Sequence, residues 1–210
     1  IKSSERNDVF REAMNSLWDL LTKHKNVYKQ CKIVLIPGPN DPGPPANIFP
    51  RFPNTTISSS LAMKQVEGCN GAELGLCSNP TWLTFCSQTM VVFRYNLTDA
   101  LLTNAIHRPT REETALHHDV VRTVLSQSHL LPLPQQLYCG PKAIVVPSLD
   151  HTLRLYPGVP DLIILADKYA SFVCNDDDPS LPLVVNPGPF FTNDYSFMTY
   201  FPGRRSVEVC

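Results

Sequence analysis

The chain has 210 residues, 18 basic and 19 acidic side chains and a formal net charge of −1; 43 % of its residues are hydrophobic and 18 % charged. That composition excludes a disordered chain and gives enough length for one sizeable core. The near-zero charge excludes a broadly basic nucleic-acid binder held by global electrostatics, and the longest apolar runs, such as residues 162–166, fall far short of the ~18 residues of a membrane span.

Twenty prolines, nearly double the usual ~5 % share, stand against nine glycines. They predict stiff, extended connections with helix in the minority. The polar residues 1–6 suggest no signal peptide. Residues 7–25 predict an amphipathic helix: Phe10, Ala13, Met14, Leu17, Leu20 and Leu21 recur at three- and four-residue spacing, and Asn7 or Ser4 could cap the start. Residues 32–36 predict a buried strand, stopped by the Pro-Gly-Pro-Asn-Asp-Pro-Gly-Pro-Pro loop at 37–45. Helix, strand, then a loop at the strand's C-terminal end is an α/β pattern, and α/β sheets bind ligands at such ends. Residues 46–88 give no clear assignment, and 90–95 predict a strand. Thr110-Arg111-Glu112-Glu113 has the form of a capping box. It would open a helix over 111–128 with Leu116, Val120, Val121, Val124 and Leu125 inward, ended at 129–132. Short strands are expected at 143–146, 152–156, 162–166 and 183–185, and half-exposed antiparallel strands at 195–201 and 206–209. The fold class expected is α/β, β-rich in its C-terminal half, with no repeat and no internal domain boundary.

The seven cysteines form no C-x-x-C pair and read as reduced thiols of a nuclear or cytosolic protein. A zinc site from Cys69, Cys77 and Cys86 would need wider spacing than the usual knuckle. His117 and His118 are adjacent on the expected helix, diverge by about 100° and suit a solvated or partly packed face rather than chelation. Asp176-Asp177-Asp178 reads as a surface loop. No Gly-x-Ser-x-Gly elbow or Walker loop is present. The loop after the first strand is more informative. A strand ending in Gly-Asn-His-Asp marks metallophosphoesterases, in which the Asn binds a metal and the His acts beside the phosphate. Here the stretch is Gly38-Pro39-Asn40-Asp41: proline has no ligand atom, and asparagine is no acid near neutral pH. The later Gly-His-x-His motif is replaced by Ala166-Asp167-Lys168-Tyr169, so both imidazoles are gone and Lys168 puts positive charge where a cation would sit. His129 stands where an upstream ligand His is expected, and one imidazole cannot hold a dinuclear centre.

With these segments in order, and with Phe49-Pro50-Arg51, Ser78-Asn79-Pro80, residues 125–134, Leu153-Arg154-Leu155-Tyr156-Pro157 and residues 185–190, the chain resembles the B-subunit family of the eukaryotic DNA polymerases alpha, delta and epsilon. Its Ser-Gln-x-His-Leu and Ala-Asp-Lys-Tyr segments look like the epsilon branch. The resemblance covers about residues 30 to 205. It implies a calcineurin-like metallophosphoesterase fold of two packed β-sheets flanked by helices, catalytically inactive, with no cofactor or metal. Gly38, Pro39, Asn40, Asp41, His129, Ala166, Asp167 and Tyr169 would be its vestigial positions. Residues 1–210 would be the C-terminal part of that domain, the OB domain and N-terminal region lying outside this chain.

The function so implied is a non-catalytic scaffold of the polymerase epsilon complex in nuclear DNA replication. It would bind the zinc-binding C-terminal region of the catalytic subunit and other epsilon subunits, and help couple the polymerase to the replicative helicase assembly. Trp82, Phe190, Phe191 and Tyr195 are candidate anchors, and stiff prolines would lower the ordering cost of binding. Direct DNA contact through Arg204, Arg205 and Lys168 would be weak, and no membrane partner is expected. The alternative is a metal-dependent phosphoesterase with unusual ligands from Asp41, His129 and Asp167.

Overall fold

The computed structural model describes residues 3–24, 30–43, 48–54, 74–106, 113–139, 150–155, 158–175 and 180–210. The chain divides into two units, Ile1–Ala46 with Arg51–Asn79, and Asn47–Pro50 with Pro80–Cys210. In the first unit, helix α1 (Ser3–Lys23) packs on a parallel pair, β1 (Ile33–Leu35) and β2 (Leu74–Leu76). The buried stripe is Phe10, Met14, Trp18 and Leu21 against Ile33, Leu35 and Leu76. Those positions follow i, i+4, i+8, i+11, a helical face centred on Trp18. Ala13 and Leu20, expected inside, lie off that face and are exposed. β1 is shorter than expected and only partly buried, with Val34 turned out.

The second unit is built on a five-stranded mixed sheet of order β3-β4-β5-β7-β6. Its strands are β3 (Thr81–Phe85), β4 (Gln88–Arg94), β5 (Leu162–Ala166), β6 (Phe172–Cys174) and β7 (Leu183–Asn186). β4, β5 and β7 run parallel; the edges β3 and β6 are antiparallel. The crossover between β4 and β5 carries α2 (Leu97–Asn104), α3 (Glu113–Gln127) and α4 (Gln135–Cys139). Val91, Phe93, Ile163, Leu165 and Val184 face one core with Leu97, Val120, Val121 and Val124. The alternate residues Met90, Leu162, Ile164, Leu183 and Val185 meet Met198, Tyr200 and Val207. These last belong to the hairpin β8 (Met198–Phe201) and β9 (Ser206–Val209). Both faces of the central strands are covered, which is why they read as unbroken apolar runs.

Some expectations change. Of the strand expected at 152–156, the described residues 152–155 form none: Leu153 N–H and Arg154 N–H close a helical turn on Asp150 and His151, leaving one bridge, His129 to Arg154. The expected strand at 195–201 begins only at Met198, because Asp194 and Tyr195 take positive φ (50° and 58°) and turn the chain. β2, β3, α2 and β6 carry no assignment from sequence. The capping box at Thr110, the strand at 143–146, Cys69 and the acidic run 176–178 lie outside the described residues. No described helix is long and apolar enough to cross a membrane.

Candidate functional site

In the first unit the loop after β1 is held by its own residues. Gly38 N–H donates to Asp41 Oδ2 at 2.6 Å, and Asp41 N–H donates to Gly38 O at 3.3 Å. The Arg51 guanidinium, 1 % exposed, donates to the Asp41 carbonyl. Arg51 is itself fixed by a reciprocal backbone pair with Asn79 at 2.8 Å each way. Pro39 is half-buried and Asn40 exposed on the same loop. Gly38 and Asp41 are thus joined as a turn.

In the second unit, β5 ends at Ala166 and delivers Asp167 to the start of α2. The Thr98 N–H donates to Asp167 Oδ2 at 2.7 Å. Asn96, at the cap position, makes no side-chain cap bond, so a carboxylate from 69 residues away serves one of the orphan N–H groups of the helix and meets the positive end of its dipole. The Asp167 side chain is buried, and Oδ1 meets no hydrogen-bond donor among the described residues. Lys168 forms an ion pair with Asp99 of α2, whose hydrogen bond and charge raise the lysine above its ordinary pKa. Burial, then the charge of Asp99 and a hydrogen bond to it, push the Tyr169 hydroxyl up.

Asn186, at the end of β7 and fully buried, ties this loop to the next. Its Oδ1 accepts from Asp167 N–H (3.2 Å) and Gly188 N–H (3.0 Å), and its Nδ2 donates to the Tyr169 and Ala170 carbonyls at 3.1 Å each. Gly188 has φ +72°, and a Cβ there would sit 3.1 Å from Ser171 N and 3.3 Å from Tyr169 O. Glycine is required on both counts. Beyond it, Phe190, Phe191 and Tyr195 form a triangle of rings with centroids 5.5–6.0 Å apart, exposed to 50 %, 80 % and 61 %. Tyr195 N–H closes the turn on Phe190 O at 3.0 Å, and the Asn193 amide donates to Ser171 and Ser196. Trp82, 37 % exposed, lies apart on the edge strand β3.

His129 sits where α3 ends. Ser128 takes φ 48°, its N–H donates to Leu125 O, and His129 N–H donates to Val124 O. This paired 5→2 and 6→1 ending is the Schellman motif. The Leu131 N–H donates to His129 Nδ1 at 3.1 Å, so the ring proton lies on Nε2 and points to Asp150 Oδ1 at 3.0 Å. Arg154 grips Asp150 Oδ2 through Nε (3.0 Å) and Nη2 (2.9 Å). Burial raises the Asp150 carboxyl, but the hydrogen bonds from Arg154 and His129 and the charge of Arg154 outweigh it and hold the group below its ordinary value. These residues border a depression of about 510 Å³.

Within the second unit the expected positions fall into two local clusters, one at His129 and one at Ala166, Asp167 and Tyr169. His129 and Asp167 share no hydrogen-bond partner among the described residues; Asp41 Oδ2 accepts from Gly38 N–H and Asp167 Oδ2 from Thr98 N–H. Among the described residues, no group of three or more His, Cys, Asp and Glu could hold a metal ion. Lys168 follows the C-terminal end of β5, whereas Arg205 donates to Leu181 O ahead of β7. Since β5 and β7 are parallel, these cations lie at opposite ends of the sheet and make no single patch. His117 and His118 lie on a solvated, partly packed face as expected: His118 is exposed, and the half-buried His117 stacks on Phe172 at 5.0 Å. From sequence, Asn186 and Arg51 stand only within family-like segments without a role, and Asp150 goes unseen. Only Asn186, a lone amide closing an apolar strand before Pro-Gly-Pro, carries a readable signal.

The second unit is thus a mixed α/β fold whose strand-end loops are bound to one another, with exposed aromatics on the outermost. The chain belongs to the B-subunit family of DNA polymerases alpha and epsilon, whose sequence profile matches residues 2–174. It is 32 % identical over 200 residues to mouse DNA polymerase epsilon subunit 2 and 33 % to that of Bos taurus. It is 31 % identical over 201 residues to the B-subunit of DNA polymerase epsilon from Arabidopsis thaliana. Each alignment covers 95 % of this chain and 35 % of the relative, so the chain spans about a third of the length of these relatives.

Proposed function

We propose that this chain is part of an accessory, non-catalytic subunit of a DNA polymerase epsilon complex acting in nuclear DNA replication. It is the remnant of a calcineurin-like phosphoesterase domain, the rest of that domain and an OB domain lying elsewhere in the protein. Its role is to hold the zinc-binding C-terminal region of the catalytic subunit and, through the whole protein, to help connect the polymerase to the other subunits and the replicative helicase. Contact with DNA is auxiliary.

The observation that carries this reading, beside family membership, is the fate of the strand-end loop. The metal-ligand motif of a phosphoesterase is Ala166-Asp167-Lys168-Tyr169 here, and Asp167 is spent on the N-terminus of α2 while Lys168 pairs with Asp99. A loop freed from catalysis can serve as surface, and the adjoining loop presents Phe190, Phe191 and Tyr195, large aromatic anchors of the kind on which interface energetics concentrate. The test is co-expression of the full-length protein with the Cys-rich C-terminal region of its polymerase epsilon catalytic subunit, followed by size exclusion. Elution as a 1:1 complex is expected. Separate elution of two folded proteins would refute the scaffold role.

A further inference from the structure

A second group of reactive side chains lies away from the strand-end loops. Edge strand β6 places Cys174 against α3, where its Sγ is 3.3 Å from His118 Nδ1. Cys174 is half-buried and still accessible, and His118 is exposed. The imidazole is held in place: its ring centroid lies 4.6 Å from that of His117, which is stacked on Phe172 at 5.0 Å and 13°, two residues before Cys174. Both sides of the Cys–His contact are thereby anchored on one strand and one helix. The other described free thiols, Cys31, Cys77, Cys86 and Cys210, have no imidazole at hydrogen-bond distance among the described residues.

We propose that Cys174 and His118 form a nucleophile–base pair that makes Cys174 a site of S-thiolation by small disulfides. A thiol is nucleophilic only as thiolate, and an ordinary cysteine with pKa near ~8.5 is only a few per cent thiolate at neutral pH. A base within hydrogen-bond reach raises that fraction. His118 Nδ1 takes the thiol proton, and Cys174 Sγ attacks one sulfur of the disulfide. The disulfide's S–S bond breaks as the mixed disulfide forms, and the departing thiolate recovers a proton from the His118 imidazolium. No other oxidant is needed.

The test uses the full-length protein at pH 7 with glutathione disulfide as probe, following the mixed disulfide at each cysteine by peptide mass spectrometry. The expected result is a Cys174 rate about tenfold above those of the more exposed Cys86 and Cys210, which act as internal references. In His118→Gln the Cys174 rate should fall to the reference level while Cys86 and Cys210 keep theirs. A wild-type Cys174 no faster than Cys86 overturns the proposal without any variant. So does a fast Cys174 that His118→Gln leaves unchanged.

Discussion

Asp167 is the residue at which the phosphoesterase comparison and a structural role meet. It stands where a metal-binding imidazole is expected, yet its carboxylate serves the first turn of α2 through Thr98 N–H. A helix N-terminus favours negative charge, and a charge-assisted bond there exceeds a neutral one. Asp167→Ala should therefore lower stability by about 1–3 kcal/mol, read as a drop in the urea midpoint; an unchanged midpoint would remove the capping role. Asp150 makes a pH-dependent contribution. Its carboxyl is held below the ordinary value by Arg154 and His129 against the opposing effect of burial. A depressed folded pKa means stability that is fully present above the unfolded value of about 3.9 and lost as pH falls through the folded one. Asp150→Asn should lower Tm at pH 7, with the gap closing below about pH 4. A gap of constant size through that range would contradict the assignment. His129 and Asp167 are visible in the sequence as chemistry-bearing residues. Their partners are not, because Asp150 and Thr98 lie 21 and 69 residues away and only the fold brings them close.

Among the elements, legibility follows length and periodicity. α1, α3, β4, β5 and β7 carry repeating or unbroken apolar patterns and lie close to where those patterns put them. α2 spans eight residues and β6 three, and both draw their stability from neighbours rather than from their own sequence. The α1 face centres on Trp18, the residue it buries deepest, which shifts it away from Ala13 and Leu20 of the aliphatic repeat. The β3–β4 hairpin gives a test at this scale. Its two-residue turn places Cys86 and Ser87 at φ 49° and 62°, with Phe85 opposite Gln88. Turns of this kind favour Asn-Gly. The double change Cys86→Asn, Ser87→Gly should raise stability by about 1 kcal/mol, seen as a higher urea midpoint with an unchanged m-value. A lower midpoint would mean that the native turn residues do more than turn the chain.

For the molecule as a whole, the sheet of the second unit has the architecture that brings α/β ligand sites to the strand ends, and those ends are joined by Asn186, Asp167 and Gly188. What remains outward is aromatic. Candidate anchors Phe190, Phe191 and Tyr195 are legible as loop aromatics next to prolines; their convergence into one exposed triangle is not, since it depends on the positive φ of Gly188, Asp194 and Tyr195. Rings fixed in this way lose little freedom on binding. The most direct measurement is calorimetric titration of the full-length protein, wild type and Phe190→Ala/Phe191→Ala/Tyr195→Ala, with the Cys-rich region of its polymerase epsilon catalytic subunit. Tight 1:1 binding by the wild type is expected, with a Kd at least about 100-fold weaker for the variant. Equal Kd values for two folded proteins would contradict the scaffold role of this surface.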